Sequence, residues 1–314
     1  METVDLEQAR AFLTAHLPNP PQELVLLGAG AWSRCYGYRV GNAEFAIRFG
    51  KHSEDFYKDR LAAAYSSEAL PIPPIFEIGE ALGGFFAISR RARGLPLEEV
   101  SPSEWRTLLP SLVAALEAMR TADITASSGV GSWGAEGRAP HASWASHLLS
   151  VCEETPDQRI YGWRRKLETG SPLGWKAFQW GLARLQEVAD LAVPRALLHC
   201  DLLNRNALVE QGKLTAVFDW GCGRYGDPLY DLAWFEFWAP WHPNLDVPLL
   251  RAALEQRWQE AGCMPATLQP RLNACYLHIG LDHLAYNAYL GNWETLAATA
   301  AQMQALIEGK TGCL

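Results

Sequence analysis

The chain lacks long hydrophobic runs. Nowhere does it approach the roughly 18 to 20 consecutive apolar residues that a membrane-spanning helix needs, so no membrane partner is expected. Basic residues are also in short supply, with 27 Lys and Arg against 35 Asp and Glu for a net charge of -8. A nucleic-acid binder normally clusters Lys and Arg on one face, which argues against a nucleic-acid partner and suits a cationic small molecule better. No Cys-x-x-Cys pair or metal-ligand spacing occurs among Cys35, Cys152, Cys200, Cys222, Cys263, Cys275 and Cys313, and this odd, dispersed set reads as reduced thiols. Glu2, Asp5 and Glu7 precede any apolar run, unlike a secretory or transit peptide, so the expected setting is the cytoplasm. The expected state is a monomer. Internal repeats and low-complexity segments are missing too.

What is present is ample for two lobes: 314 residues, 49% of them apolar, at roughly 100 to 200 residues per domain. Leu6, Ala9, Phe12, Leu13 and Leu17 recur at helical spacing and predict a short amphipathic helix before the break at Pro18 to Pro21. Short strand runs follow at 24–27, 35–40 and 44–49, with Gly41-Asn42 as a hairpin turn, then a helix over 55–67 and strands at 75–78 and 85–89 turned by Gly83-Gly84. After Gly94 the pattern becomes helical. Ser101-Pro102-Ser103-Glu104 is a helix-start signal, and Pro110 inside the following apolar face predicts a kink or restart. Residues 127–140 read as a long loop, 144–152, 175–191 and 271–290 as helices, and 207–209 and 214–218 as a brief return to strand around Gln211-Gly212. The boundary falls near residues 90–96. The predicted division is a nucleotide-binding lobe over 1–93 and a helical catalytic and acceptor-binding lobe over 94–314.

The informative stretch is His199 to Trp234. Asp201 and Asn206 sit on a loop between two strand runs, and Asp219 ends the second run. A hairpin would bring Asn206 and Asp219 together as an oxygen cluster suited to Mg²⁺, which takes one or two carboxylates and completes its shell with phosphate and water. An Asp on the same loop that is not consumed by metal can accept a proton from an attacking hydroxyl. Three such residues suggest phosphoryl transfer.

His199-Cys200-Asp201 through Asn206, then Asp219-Trp220 and Gly226 to Ala233, resemble the H-x-D-x-x-x-x-N, D-W and G-D-P-x-Y-D-L-A elements of the aminoglycoside phosphotransferase family. Segments 56–60, 70–73, 88–92 and 278–282 resemble the hygromycin branch of that family in particular. The resemblance implies an α+β, bilobal protein-kinase-like fold, with a small antiparallel-sheet N-lobe and a large helical C-lobe. It implies Asp201 as the catalytic aspartate, Asn206 and Asp219 as Mg²⁺ ligands, and His199 as the anchor of the loop rather than a proton carrier. Arg48 stands where kinases usually carry a phosphate-contacting lysine, a role a bidentate guanidinium can serve. Asp59 is the first choice for its acidic partner and Glu68 the second. Gly28, Gly30 and Ser33, in the segment Gly28 to Ser33, suit a flap over the triphosphate of ATP or, as an alternative, GTP. Ser89, Arg90, Arg91 and Ala92 would offer backbone to adenine. Asp227 and Asp231, beside Pro228 at a helix start, read as loop-bracing residues.

The implied acceptor is an aminoglycoside, with Asn204, Glu236, Trp238, Trp241, Asp282 and Tyr286 as candidate contacts. From His199 onward the chain carries 12 acidic and 7 basic residues, five of the eight net negative charges. Trp234 and Trp238, one turn apart, are more often core packing than a sugar platform. Two other readings are open at this level: a metabolite kinase of the same fold, with an amino alcohol, sugar or macrolide acceptor, and a non-catalytic nucleotide-binding module, favoured only by Arg48 and by Cys200 where the family often has glycine. The short interval between Asp219 and Gly226 leaves no room for the activation segment of a protein kinase.

Overall fold

In a computed structural model that describes residues 4–30 and 32–309, helix α1 (Leu6–His16) opens on a capping box, Asp5 accepting from the Gln8 N–H and Gln8 reaching back to the Asp5 N–H. Glu2, Ala31 and Cys313 lie outside the described residues. Strands β1 (Gln22–Ala29), β2 (Ser33–Val40) and β3 (Ala43–Gly50) follow, then α2 (Ser53–Ala62), β4 (Ile75–Ala81) and β5 (Gly84–Arg90). They form an antiparallel sheet in the order β1-β2-β3-β5-β4. Val40 pairs with Ala43, so Gly41-Asn42 is a two-residue turn. The next hairpin turns one residue earlier than its glycines suggest. Ala81 pairs with Gly84, which leaves Leu82 and Gly83 as the turn, both with positive φ, while Gly84 already belongs to the strand.

Alternate residues of the sheet, Tyr36, Tyr38, Ile47, Phe49, Phe86 and Ile88, pack with Ala9 and Leu13 of α1 into one apolar cluster. A second, much larger cluster fills the helical half, and Ala62, Leu70 and Ile72 from the sheet half belong to it. The α2 end and the segment after it are therefore packed against the helical half, not against the sheet core. The crossing between halves runs through Gly94, whose φ of +138° and close approach to the Val209 carbonyl, 2.7 Å from where a Cβ would sit, exclude a side chain there.

Beyond it come β6 (Leu95–Pro96) and α3 (Pro102–Arg120), whose start is capped by Ser101 and Glu104. Pro110 neither restarts nor ends this helix. It lies on the exposed face, where the carbonyl it leaves unpaired one turn back can take water, while Leu108, Leu109, Leu112 and Val113 are buried. The 127–140 loop is more ordered than its composition suggests. It contains β7 (Gly131–Ser132) and bridges from Ser128 to Arg138 and Val130 to His141. Helices α4 (Trp144–Leu149), α5 (Trp163–Gly170) and α6 (Pro172–Val188) follow, α5 being absent from the sequence reading because eight residues carry too little periodicity. Strand β8 (Ala196–Leu198) leads to the hairpin β9 (Ala207–Glu210) and β10 (Lys213–Val217), turned by Gln211-Gly212. Strand β11 (Arg224–Gly226) pairs with β7 and β8, and α7 (Leu229–Trp238), α8 (Val247–Glu260), α9 (Leu268–Leu290) and α10 (Trp293–Glu308) complete the chain. Among the described residues no helix is long and apolar enough to cross a membrane.

Candidate active site

Strand β8 delivers the chain into the loop His199 to Asn206, and β9 carries it away. Asp231, in the first turn of α7, accepts the backbone N–H groups of His199 and Cys200 at 3.0 and 2.7 Å. Cys200 has a φ of +64°, a left-handed conformation that explains why glycine suits this place. A cysteine holds it here because Asp231 pins its amide. The His199 ring is fully buried, with Nε2 at 3.0 Å from the Phe218 carbonyl and Nδ1 at 3.2 Å from the Asp201 N–H. A carbonyl only accepts and an N–H only donates, so the ring is neutral with its proton on Nε2. Burial pushes its pKa down to about 4 against the pull of the Phe218 carbonyl and Asp219. These contacts are those of an anchor.

Asp201 accepts from the Asn204 side-chain amide and, at 3.1 Å, from Asn206 Nδ2, which also donates to the Asp201 carbonyl at 2.8 Å. Burial pushes the Asp201 carboxyl up to about 7, the charges of Asp219 and Glu98 adding to the effect and the two amides opposing it.

Arg48 on β3 pairs with Asp59 of α2 and stands 3.4 Å from Asp219. Asp59 also accepts the Trp220 N–H at 2.7 Å, so α2 is joined both to the sheet and to the segment beyond β10. Glu68, the second choice for this role, is exposed in the turn after α2. Burial works against the Arg48 charge, but Asp59 and Asp219 hold its pKa above the ordinary arginine value. Burial pushes Asp59 upward, with Arg48 resisting. Asp219 itself has a left-handed backbone, φ 61° and ψ 62°, which turns the chain out of β10 into the cleft. Lys58 escaped the sequence reading as a functional residue. It is buried and donates to the Gly221 carbonyl at 2.7 Å and Ser132 at 3.2 Å, bracing the same segment.

A cavity of about 490 Å³ lies between the sheet and the catalytic loop. Gly28, Gly30 and Ser33 line one side, Arg48 and Asp59 the floor, Ser89, Arg90, Arg91 and Ala92 the rear, and Asn204, Asn206 and Asp219 the other side. The Arg91 N–H is already given to the Glu44 carbonyl at 3.2 Å. One amide oxygen and one carboxylate on a shared wall fit Mg²⁺, which keeps waters and phosphates as its remaining ligands. Among the described residues no group of three or more His, Cys, Asp or Glu forms an all-protein metal cage.

In the helical half, Trp238 meets Trp241 at 5.2 Å and His283 at 4.8 Å between ring centroids, with Tyr286 at 6.4 Å from His283. Trp234 also packs on His283, at 5.3 Å, and the indole nitrogens of Trp234 and Trp238 are buried without a partner. Asp282 is partly exposed here and lies 3.3 Å from Arg224, a partner the sequence reading missed. Burial would raise its carboxyl, but Arg224, His278 and His283 hold it below the usual carboxylate range. Burial, then Cys222 and Asp201, raise the Tyr286 hydroxyl. Glu236 goes elsewhere. It accepts from Arg251 at 3.0 Å and from the Tyr276 hydroxyl, tying α7 to α8 and α9. Two residues along a helix rotate a side chain by about 200°, so Glu236 and its neighbours Trp234 and Trp238 project to opposite faces, a periodicity legible in the sequence.

The buried histidines make a pH prediction. Arg224 can only donate, so the Tyr230 hydroxyl accepts from it at 2.6 Å and gives its own proton to His278 Nδ1 at 2.8 Å, which keeps that nitrogen unprotonated. Burial, then Arg224, lower the His278 pKa to about 3. An unfolded chain takes up this proton below about 6.5 while the folded one does not, so stability present at neutral pH is lost as pH falls toward 3 for His278 and 4 for His199. The urea midpoint should therefore drop between pH 7 and 5, and His278→Gln should reduce that drop.

Fold and site together define a kinase-like phosphotransferase. Residues 48–271 match the family model described as the phosphotransferase enzyme family, and the chain belongs to that family. Hygromycin-B 4-O-kinase of Escherichia coli is 30% identical over 295 residues, covering 92% of this chain and 82% of that protein. The crystal structure of a thermostable mutant of aminoglycoside phosphotransferase APH(4)-Ia, in ternary complex with AMP-PNP and hygromycin B, superposes with a TM-score of 0.83 at 29% identity, covering 97% of this chain and 99% of that one. Spectinomycin phosphotransferase APH(9)-Ia, in complex with ADP and spectinomycin, shares the fold at a TM-score of 0.58 and 12% identity, over 97% of each chain.

Proposed function

We propose that this protein transfers the γ-phosphate of ATP, with Mg²⁺, to a hydroxyl of a hygromycin B-like aminoglycoside, and so confers resistance to it. The observation that carries the reading is the loop on which Asn204 and Asn206 hold the Asp201 carboxylate beside a cavity of about 490 Å³ that Asn204 and Asn206 line together with Arg48 and Asp219. The 30% identity to a hygromycin-B 4-O-kinase supports the acceptor class.

In this reading residues 1–93 form the nucleotide lobe and 94–314 the catalytic and acceptor lobe. The backbone around Ser89 to Ala92 receives the adenine, and the Gly28 to Ser33 hairpin end and Arg48 hold the phosphates. Asn206 and Asp219 would hold Mg²⁺, which supplies neutralising charge on the phosphate oxygens. Asp201 orients the acceptor hydroxyl and takes its proton, and its raised pKa makes it a competent base near neutral pH. Asn204 keeps the carboxylate aimed. Asp282 and Tyr286 meet ammonium and hydroxyl groups, while Trp238 and Trp241 offer faces to the sugar rings. The six described cysteines are free, which supports a reducing cytoplasm as the setting, and the self-contained site supports action as a monomer.

The test is a coupled ADP-release assay with ATP or GTP and a panel of hygromycin B, other aminoglycosides, macrolides and small amino alcohols. Hygromycin B or a close relative should give the highest kcat/KM. Turnover with an amino alcohol alone would transfer the reading to a metabolite kinase. Asp219→Ala should weaken Mg²⁺-nucleotide binding by about tenfold or more, read by calorimetry with and without Mg²⁺. An unchanged metal dependence removes Asp219 from the site.

A further inference from the structure

The catalytic loop contains a backbone conformation that the chemistry above does not use. Arg205, between Asn204 and the candidate metal ligand Asn206, has a φ of +63°. A non-glycine residue keeps this left-handed conformation only where its surroundings over-determine it. Those surroundings are two glutamates of the turn that follows β6. The Arg205 N–H donates to Glu98 Oε1 at 2.5 Å, and its guanidinium donates to Glu99 at 2.5 Å. The Glu99 pair is between exposed groups, so it adds little. The Glu98 contact is different, because it takes the backbone N–H whose orientation sets φ.

Glu98 is itself rigidly mounted. Its neighbours Leu97 and Val100 are buried in the larger core, and Asn244 Nδ2 donates to the Glu98 and Val100 carbonyls at 2.8 and 2.9 Å. Its second carboxylate oxygen is buried with no partner. A carboxylate held this way, with only half of its capacity satisfied, is costly to the fold unless it serves a purpose. Rotation of the Arg205 peptide would swing Asn206, whose amide holds both the carbonyl and the carboxylate of Asp201.

We propose that Glu98 is a positioning residue for phosphoryl transfer. By clamping the Arg205 N–H it holds the loop in its left-handed turn, and so keeps Asn206 and Asp201 in mutual register. This rests on the roles given to Asp201 and Asn206 above. Glu98→Ala should lower kcat by about 30- to 100-fold, the scale of a misplacement of about 1 Å, with nucleotide and acceptor KM within about twofold. Glu98→Gln keeps a side-chain oxygen that can accept the same N–H, and should restore kcat to within about threefold of the parent. Amide hydrogen exchange of the 199–206 segment gives a readout that needs no acceptor: Glu98→Ala should accelerate it about tenfold and Glu98→Gln should not.

An undiminished kcat in Glu98→Ala, or loop exchange equal to that of the parent, overturns the proposal. So does an equal rise in acceptor KM in both variants, which marks a substrate-binding carboxylate instead. If the parent chain phosphorylates nothing in the panel, the functional reading fails while the exchange comparison still decides whether Glu98 holds the loop.

Discussion

Alanine at Asp201 is expected to lower kcat by about 10³-fold or more while leaving the protein folded and its nucleotide affinity within about threefold. The carboxylate is the proposed proton acceptor, and the loop around it is arranged to aim it. His199 and Asp231 fix the backbone, and Asn204 and Asn206 fix the side chain. Nucleotide affinity should survive because Asp201 does not line the cavity that Arg48, Asn206 and Asp219 share.

Stability should behave opposite to activity. Burial pushes the Asp201 carboxyl up to about 7. An acid whose folded pKa lies above its unfolded value is held in its ionised form at a cost near neutral pH. Removing it relieves that cost, so Asp201→Ala should melt at the parent temperature or above, the trade-off expected of a site built for chemistry. A coupled assay, nucleotide calorimetry and a melting curve on one preparation check all three. A variant with parental kcat removes Asp201 from the mechanism.

The largest effect on stability should come from Arg271→Met. Arg271 on α9 grips both oxygens of Asp227 with its fork, and the two side chains are 5% and 1% exposed. Asp227 also accepts the Leu229 N–H at 2.9 Å and so caps the start of α7, the helix whose Asp231 braces the catalytic loop. Methionine fills much of the volume but strands a buried carboxylate, a change that costs about 3 to 5 kcal/mol. A fall in melting temperature on the order of 10 °C follows. Asp227→Asn combined with Arg271→Met should recover part of the loss, because the remaining group is neutral, and a double variant no better than the single one would show that the charge is not what matters. Activity should fall less than stability, since the pair acts on the loop only through α7.

The change from strands to helices, the loop from His199 to Asn206 and the strand hairpin flanked by Asn206 and Asp219 were legible in the chain because their signals are local. A loop of four residues between Asp201 and Asn206, or a two-residue turn at Gln211-Gly212, leaves little freedom for tertiary packing to alter. The capping box at Ser101 belongs to the same class. Pro110 marks the limit of local rules: its cost depends on whether the carbonyl one turn back faces water, and only packing decides that.

Residues 59, 68, 236 and 282 show what packing adds to position along the chain. Asp59 and Glu68 are both acidic and both near α2, and the choice between them depends on which one the packed helix turns toward Arg48. Glu236 and Asp282 carry the same charge in the same half of the molecule, yet Glu236 is spent on Arg251 and Tyr276 while Asp282 stays partly exposed beside Arg224. The sequence by itself determined which chemistry-bearing residues exist, and which of them share a turn or a hairpin. The tertiary structure alone decided which carboxylates are neutralised inside and which stay available, because that depends on helix rotation and on partners more than 10 residues away.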